Sequence, residues 1–198
     1  MSNHYLEAIK NRRSQYMLGK DLPLAEQEFT ALNKEAIRHA PSSFNSQSSR
    51  AVILYGAQNQ KFWNIVKYEL QKTVPAASLV STEAKISSFV VGAGTVLFYE
   101  DQDVIEGLQE KFANYADNFP VWSEHSTGIA QFAVWTTLSE ANVGASLQHY
   151  NPLIDTAVAA EWNIPPTWKL CAQMPFGSHQ GKFSEKEFMA DEDRFIVL

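Results

Sequence analysis

Apolar residues along the chain recur in two patterns, the spacing of amphipathic helices and the short continuous runs that are typical of buried strands. Helical spacing first occurs at the N-terminus up to Arg12, and then in a segment that Pro23 opens and Pro41 ends. The same spacing predicts further helices around residues 62–70, 86–90, 104–115 and 152–162. Apolar runs predict buried strands at residues 51–55, 95–99 and 168–174.

Residues 126–143 differ from the other helical segments because apolar side chains occupy almost all sides of the predicted helix. Gly144 suits the position that ends such a helix, since glycine readily adopts a left-handed backbone. A helix buried on every side in a chain of 198 residues indicates a subunit interface as well as a core. The apolar tetrapeptide at residues 195–198 also needs a surface on which to dock.

The mixture of helices and strands without strict alternation predicts an α+β fold, a layered single domain over residues 1–198 with a small sheet. Hydrophobic residues at 45% and aromatic residues at 12% suit an ordinary globular core. A net charge of −6 with dispersed Lys and Arg argues against nucleic acid or an anionic membrane as the partner. The sequence shows no long apolar run and no leader-like segment, which predicts a cytoplasmic protein.

Residues that carry metal or acid–base chemistry show no recognisable arrangement. The 5 histidines lack metal-ligand spacing, and none accompanies a nucleophile motif such as G-x-S-x-G. The single cysteine, Cys171, excludes an intrachain disulfide and is expected to be a small core residue. We therefore predict neither a metal site nor a catalytic side chain.

Residues 41–50 read P-S-S-F-N-S-Q-S-S-R and form a polar loop between a predicted helix and a predicted strand. The two carboxamides, Asn45 and Gln47, would project to the same side of an extended segment. A carboxamide offers both a donor and an acceptor, which suits the mixed edge of a flat heterocycle such as the flavin pyrimidine ring. The alternative interpretation is a loop whose side chains cap its own backbone.

This loop, preceded by Arg12, Arg13 and Ser14, resembles the FMN-dependent nitroreductase family. The motifs similar to its short branch of fatty-acid-repression-mutant-like and copper-induced nitroreductases are G-T-V-L-F-Y-E-D at 94–101, G-A-S-L-Q-H-Y-N at 144–151 and M-P-F-G at 174–177. They occur in the family's order, from about residue 9 to the C-terminus. The resemblance implies a small, mostly antiparallel central sheet flanked by helices. It also implies an intertwined homodimer whose C-terminal strand crosses to the partner's sheet.

The resemblance assigns the phosphate end of FMN to basic residues. Arg12, Arg13 and Ser14 would hold the phosphate and the ribityl chain. The alternative is a positive helix end that answers the helix dipole. Lys182 would close over the phosphate, or would remain a solvated surface lysine.

The flavin ring is assigned to three other positions. Leu147 and Gln148 correspond to a loop that lies over flavin N5 through backbone donors. Lys85, which is predicted to open the helix before the strand at 95–99, corresponds to a lysine that reaches the pyrimidine edge. The alternative for Lys85 is an ion pair with a surface acid such as Glu83.

A substrate pocket over the flavin would be walled by Phe44, Trp122 and Tyr150, for which core packing is the alternative role. The resemblance implies an FMN oxidoreductase that transfers two electrons from NADH or NADPH to nitroaromatic or quinone acceptors by a ping-pong hydride mechanism. Because the flavin carries that chemistry, no protein acid or base is required. A flavin-binding redox sensor or regulatory protein with little turnover is an alternative, and so is a non-flavin binding module that shares only the fold.

Overall fold

A computed structural model describes residues 3–183 and 185–198 of the chain. Among these residues the α-helices are α1 (His4–Asn11), α2 (Glu26–His39), α3 (Gly56–Gln71), α4 (Ala76–Val90), α5 (Gln102–Lys111), α6 (Phe119–Glu140) and α7 (Asp155–Trp162). The β-strands are β1 (Leu18–Gly19), β2 (Ser49–Tyr55), β3 (Gly94–Asp101), β4 (Gly144–Ala145) and β5 (Trp168–His179). Short 3₁₀ helices cover Ser43–Asn45, Ala113–Asn118 and Asp191–Asp193.

Strand β3 lies inside an antiparallel sheet with the order β1–β5–β3–β2, and β4 pairs with β5. At one end of β3, Gly94 lies opposite Tyr55 of β2 and Phe176 of β5. At the other end, Glu100 lies opposite Ser49 of β2. We call these the Gly94 end and the Glu100 end of the sheet, and at ~3.4 Å per residue they are about 20 Å apart.

The sheet separates two hydrophobic clusters because successive side chains of β3 point to opposite faces. Leu97 and Tyr99 belong to the cluster with α3, α4 and α7. Val96 and Phe98 belong to the cluster with α2 and α6. Both faces of β3 are therefore covered, which explains its continuous apolar sequence. The predicted α+β class and the mostly antiparallel sheet flanked by helices are confirmed.

Helix α6 begins at Phe119 rather than at residue 126, and Pro120 stands in its first turn, where no N–H is needed. The prediction that Gly144 ends this helix in a left-handed conformation is wrong. Asn142 adopts that conformation instead, with a φ of 57°, and Gly144 belongs to β4. Asparagine tolerates the left-handed region because its short polar side chain can hydrogen-bond locally.

Two other helix starts differ from the prediction. Helix α2 begins after Ala25 rather than at Pro23, and the Glu28 carboxylate accepts a hydrogen bond from the Ala25 N–H at 3.1 Å. Helix α4 begins at Ala76, so Lys85 lies within the helix rather than at its start. Strands β1 and β4 escaped prediction because two residues are too few to show a hydrophobic period.

Gly177 marks a close backbone approach at the Gly94 end of the sheet. A Cβ at this position would lie 2.1 Å from the carbonyl oxygen of Gly19 and 3.1 Å from the nitrogen of Ala93. We expect Gly177→Ala to push β1 away from β5 and to lower the free energy of unfolding by roughly 1–3 kcal/mol in urea denaturation. The matched control is Gly107→Ala in α5, where nothing lies within 4 Å and alanine should stabilise the helix by about 1 kcal/mol. Equal stability of the two variants would contradict the packing described for Gly177.

Candidate functional site

The segment after α1 is fixed against the Gly94 end of the sheet. Ser14 forms a parallel bridge with Ala145, and the Gln15 N–H donates to the Ala145 carbonyl at 2.9 Å. Ala145 in turn pairs with Phe176 of β5. The residues that immediately follow α1 are therefore held beside the end of β5 and the chain that leaves it.

A cavity of about 230 Å³ lies beside this segment. Arg13 and Ser14 line the cavity, and so does Lys182 from the chain after β5. The Arg13 guanidinium carbon is 5.5 Å from the centroid of the Phe183 ring, which stacks on the ring of His179 at 4.8 Å. The cavity thus brings together two cationic side chains and a hydroxyl, a donor set that suits an anion.

Arg12 does not line this cavity. Its guanidinium carbon lies 4.2 Å from the ring centroid of Trp135 on α6, a cation–π contact. Burial and the neighbouring charge of Arg13 lower the pKa of Arg12. The two guanidinium groups, which the sequence analysis expects to act together, therefore have different surroundings in the structure.

The loop over residues 42–49 has a left-handed turn rather than an extended backbone. Phe44, Asn45 and Gln47 have φ values of 57°, 53° and 50°. The prediction of an extended segment, from which the shared side of Asn45 and Gln47 is inferred, is therefore wrong. Both residues are exposed, and neither carboxamide makes a hydrogen bond to another described residue.

Serine hydroxyls fix the inner side of this loop. Ser42 Oγ accepts a hydrogen bond from the Gln47 N–H at 3.0 Å, which is the self-capping role of the alternative interpretation. The hydroxyls of Ser48 and Ser49 donate to the carboxylate of Glu100, which is fully buried. Sequence reasoning missed Glu100; its signal was a carboxylate that directly follows a run of residues predicted to be a buried strand.

Aromatic rings gather around Phe44. The Phe44 ring lies 6.0 Å from that of Trp122 with an interplanar angle of 18°, and 4.9 Å from that of Phe112. Tyr115 and Phe119 complete this aromatic cluster, in which about half of the Phe44 and Tyr115 surface is exposed. The structure thus brings Phe44 and Trp122 together on an accessible aromatic surface.

Tyr150 lies apart from that cluster, with its ring 5.8 Å from Trp63 in the core beside α3. Burial raises the pKa of Tyr150 to about 12. The Lys85 Nζ lies 6.0 Å from the Tyr150 ring centroid. Glu83 pairs with Lys67 at 3.3 Å, and among the described residues no carboxylate lies within 4.0 Å of Lys85. The ion pair of Lys85 with Glu83, the alternative role, is therefore not formed.

The backbone N–H groups of Leu147 and Gln148 differ in whether they are already hydrogen-bonded within the chain. The Gln148 N–H donates to the Gln173 carbonyl at 2.7 Å, and the side chain of Gln148 donates to Ser146 Oγ at 3.0 Å. The Leu147 N–H makes no hydrogen bond within the described part of the chain. Of the two donors expected to face flavin N5, only that of Leu147 is not already engaged by the sheet.

The anion cavity and the carboxamide loop lie at opposite ends of the sheet. The cavity is tied through Ser14 and Ala145 to the Gly94 end, whereas the loop is tied through Ser49 to the Glu100 end. The separation of about 20 Å follows from the rise along β3. One chain therefore does not place its own carboxamides beside its own anion cavity.

Two classes of feature are missing from residues 3–183 and 185–198. No helix there is both long and apolar enough to cross a membrane. The histidine, cysteine, aspartate and glutamate side chains in these ranges form no group of three that could hold a metal ion.

Comparison with known proteins shows one consistent family. The nitroreductase family model matches residues 9–178. The putative nitroreductase HBN1 of Saccharomyces cerevisiae is 33% identical over 190 residues, which cover 95% of this chain and 94% of HBN1. Nitroreductase CinD of Lactococcus lactis in complex with nicotinic acid is 49% identical, with a TM-score of 0.91 over 98% of this chain and 99% of that chain.

Other similar solved structures contain further ligands or belong to proteins of lower sequence identity. CinD has also been solved in complex with chloramphenicol and with 4-nitrophenol. A putative nitroreductase from Desulfovibrio desulfuricans in complex with FMN shares the fold at 15% identity, with a TM-score of 0.75 over 100% of this chain and 98% of that chain. The resemblance inferred from the sequence motifs is confirmed by the family match and by the identity to relatives over nearly the whole chain. The chain belongs to the nitroreductase family.

Proposed function

We propose that the chain binds FMN and transfers two electrons from NADH or NADPH to small nitroaromatic or quinone acceptors in a ping-pong mechanism. The observation that carries this proposal is the cavity lined by Arg13, Ser14 and Lys182 in a chain of the nitroreductase family. Two cations and a hydroxyl suit the dianionic phosphate of FMN, because charge-assisted hydrogen bonds are the strong ones. They also supply local positive charge in a protein whose net charge is −6.

The isoalloxazine ring is assigned to the exposed carboxamides of Asn45 and Gln47, which together offer donors and acceptors to a heterocycle. Their distance from the anion cavity of the same chain supports a site shared between two subunits. In such a homodimer the loop of one chain would lie near the cavity of the other. Each flavin would then contact both chains.

When bound, FMN supplies the hydride chemistry at N5, and the protein supplies position and electrostatics. The free N–H of Leu147 is the donor that we assign to the ring near N5. Lys85, which has no carboxylate partner within residues 3–183 and 185–198, is assigned to the pyrimidine edge, where a cation favours the negative charge of the reduced flavin. The aromatic cluster around Phe44 and Trp122 offers a stacking surface for flat acceptors. The nicotinic acid and 4-nitrophenol bound by CinD are flat aromatic ligands.

An apolar groove supports the homodimer. It has a volume of about 710 Å³ and lies between α1, α2 and α6, where Tyr5, Leu32 and Phe132 are among its lining residues. Ile129 of α6 also lines the groove and leaves 43% of its surface exposed. An exposed apolar groove of this kind is a surface that a partner subunit could cover. A second copy of the chain in this groove would cover the exposed apolar residues of α6, a helix whose sequence predicts burial on every side.

The purified protein should be yellow, with the absorbance of bound flavin. Addition of NADH or NADPH should bleach it, and a nitroaromatic or quinone acceptor should restore the colour over many turnovers. A flavin spectrum without turnover would favour the redox sensor over the enzyme. A colourless protein that takes up no added FMN would contradict the proposal.

The phosphate assignment predicts different effects for the two neighbouring arginines. Arg13→Ala should weaken FMN binding about 10- to 100-fold in fluorescence titration, because one charge-assisted contact contributes roughly 1.5–3 kcal/mol. Riboflavin, which lacks the phosphate, should bind this variant as it binds the native protein. Arg12→Ala should instead lower the free energy of unfolding by about 0.5–2 kcal/mol through loss of the Trp135 contact. Full retention of FMN affinity by Arg13→Ala would contradict the assignment of the phosphate to this cavity.

The homodimer predicts that sedimentation at micromolar concentration gives twice the mass of the chain. Ile129→Glu places a carboxylate in the apolar groove and should yield monomers with reduced FMN content, since each flavin would contact both chains. Val80→Glu is the matched control, because Val80 is 81% exposed on α4 outside the groove. A native monomer, or a dimer that survives Ile129→Glu with full FMN content, would count against the shared site.

A further inference from the structure

Glu100 is a buried acid whose position needs an explanation. Its side chain has 0% exposure in the sheet, although burial of a carboxylate is costly unless its charge is satisfied. Ser48 Oγ donates to Glu100 Oε2 at 2.5 Å, and Ser49 Oγ donates to the other carboxylate oxygen. The two partners lie where the loop over residues 42–49 enters β2, so this buried group ties that loop to the sheet.

Further hydrogen bonds continue from these serines around Gln47. Ser48 Oγ lies 3.2 Å from Ser46 Oγ, so the residues on both sides of Gln47 are connected to Glu100. The Arg50 guanidinium donates to the Gln47 carbonyl at 2.6 Å and to the Asp101 carboxylate at 2.9 Å. The backbone of the loop is therefore held from its inner side, and its carboxamides make no hydrogen bond to the rest of the described chain.

The loop needs such anchoring because its backbone is strained. Phe44 has a φ of 57°, a conformation that is rare for a bulky side chain. Asn45 and Gln47 also have positive φ. Residues in this region persist only where surrounding contacts hold them, and they concentrate at ligand sites.

We propose that Glu100 is a positioning residue that holds the loop over residues 42–49 in the conformation that presents Asn45 and Gln47 to the flavin ring. This inference rests on the proposed function, since it assigns the loop to a flavin. It concerns the ring end of the ligand only. The phosphate end lies at the other end of the sheet and does not depend on Glu100.

The charges around Glu100 indicate what its replacement would do. Burial raises the pKa of Glu100, the two serine donors oppose that rise, Glu124 on α6 adds to it and Arg50 opposes it. Lys169 of β5 lies directly opposite Glu100 in the sheet, the charge of Glu100 acts on Cys171, and Asp101 pairs with Arg50. A carboxyl group whose pKa is raised by folding stabilises the fold below its unfolded pKa and loses that contribution as the pH rises through its folded pKa. Ionisation of Glu100 as the pH rises through its folded pKa therefore lowers the free energy of unfolding.

The test is Glu100→Gln, which keeps the shape but can accept a hydrogen bond from only one of the two serines in the present arrangement. We expect hydrogen exchange of the loop amides in flavin-free protein to accelerate about tenfold, with FMN and riboflavin affinity both falling about tenfold. Relative to the native protein, the variant should gain stability as the pH rises, because it lacks the carboxyl group whose ionisation costs stability. Arg13→Ala gives the opposite ligand pattern, because it should affect FMN and spare riboflavin.

The matched control is Thr95→Val on the same strand. Thr95 is also fully buried, and its hydroxyl bonds with Asn59 at 2.7 Å and with Trp63 at 2.9 Å. This variant should lower stability without changing loop exchange or the affinity for either flavin. If Glu100→Gln fails to fold, Ser49→Ala removes one of the same two hydrogen bonds and should accelerate loop exchange.

Unchanged loop exchange in Glu100→Gln, or in Ser49→Ala should that be the variant that folds, would overturn the role of Glu100. A loss of FMN affinity that spares riboflavin would overturn it as well, because it would place the effect at the phosphate. Failure of the native protein to bind FMN would overturn the proposed function instead. The exchange measurement on flavin-free protein separates that result from a failure of the Glu100 assignment.

Discussion

The pairing of β3 with both of its neighbours is the constraint on which the rest of the molecule depends. Along its length β3 is bonded to β2 on one edge and β5 on the other, and its two faces are buried in separate clusters. The register of these pairs fixes where the chain enters and leaves each strand. It therefore sets the positions of the anion cavity, the carboxamide loop and the helices that cover them.

The same register divides the candidate site into two halves. Arg13 and Lys182 lie where β5 ends, and the carboxamide loop lies where β2 begins. Both β2 and β5 run antiparallel to β3. The segment that precedes β2 therefore lies at the Glu100 end of the sheet, and the segment that follows β5 lies at the Gly94 end. Under the proposed function, a flavin that contacts both halves would take them from two chains, and cofactor binding would then be coupled to subunit association.

The features that could be predicted from the sequence are those that depend on local pattern. The strands at 51–55, 95–99 and 168–174 were recognisable because apolar runs report burial on both faces, and all three lie within observed strands. The cavity that joins Arg13 to Lys182 was accessible only through the resemblance of motifs, since no local signal links residues so far apart in the chain. The backbone of the loop at Asn45 was missed because serine side chains and the distant Glu100 impose a left-handed turn that residue preferences do not reveal.

Different surroundings also explain why neighbouring residues with the same chemical groups make different contacts. Arg12 and Arg13 have identical side chains in adjacent positions, but of the two it is Arg12 that makes a cation–π contact with Trp135 on α6. Leu147 and Gln148 both carry an N–H, but the alternation of the backbone turns only that of Gln148 towards β5. Which of two such residues makes a given contact depends on its neighbours in the folded structure, and a single sequence does not identify those neighbours.

The burial of Cys171 would have a chemical consequence if quinones are among the acceptors, as proposed. It is the chain's single cysteine, its side chain is buried in β5, and burial raises its pKa to about 12. A thiol held protonated in this way is a weak nucleophile. Quinones alkylate accessible thiolates, so a chain whose one thiol is buried and protonated should resist covalent modification by such compounds.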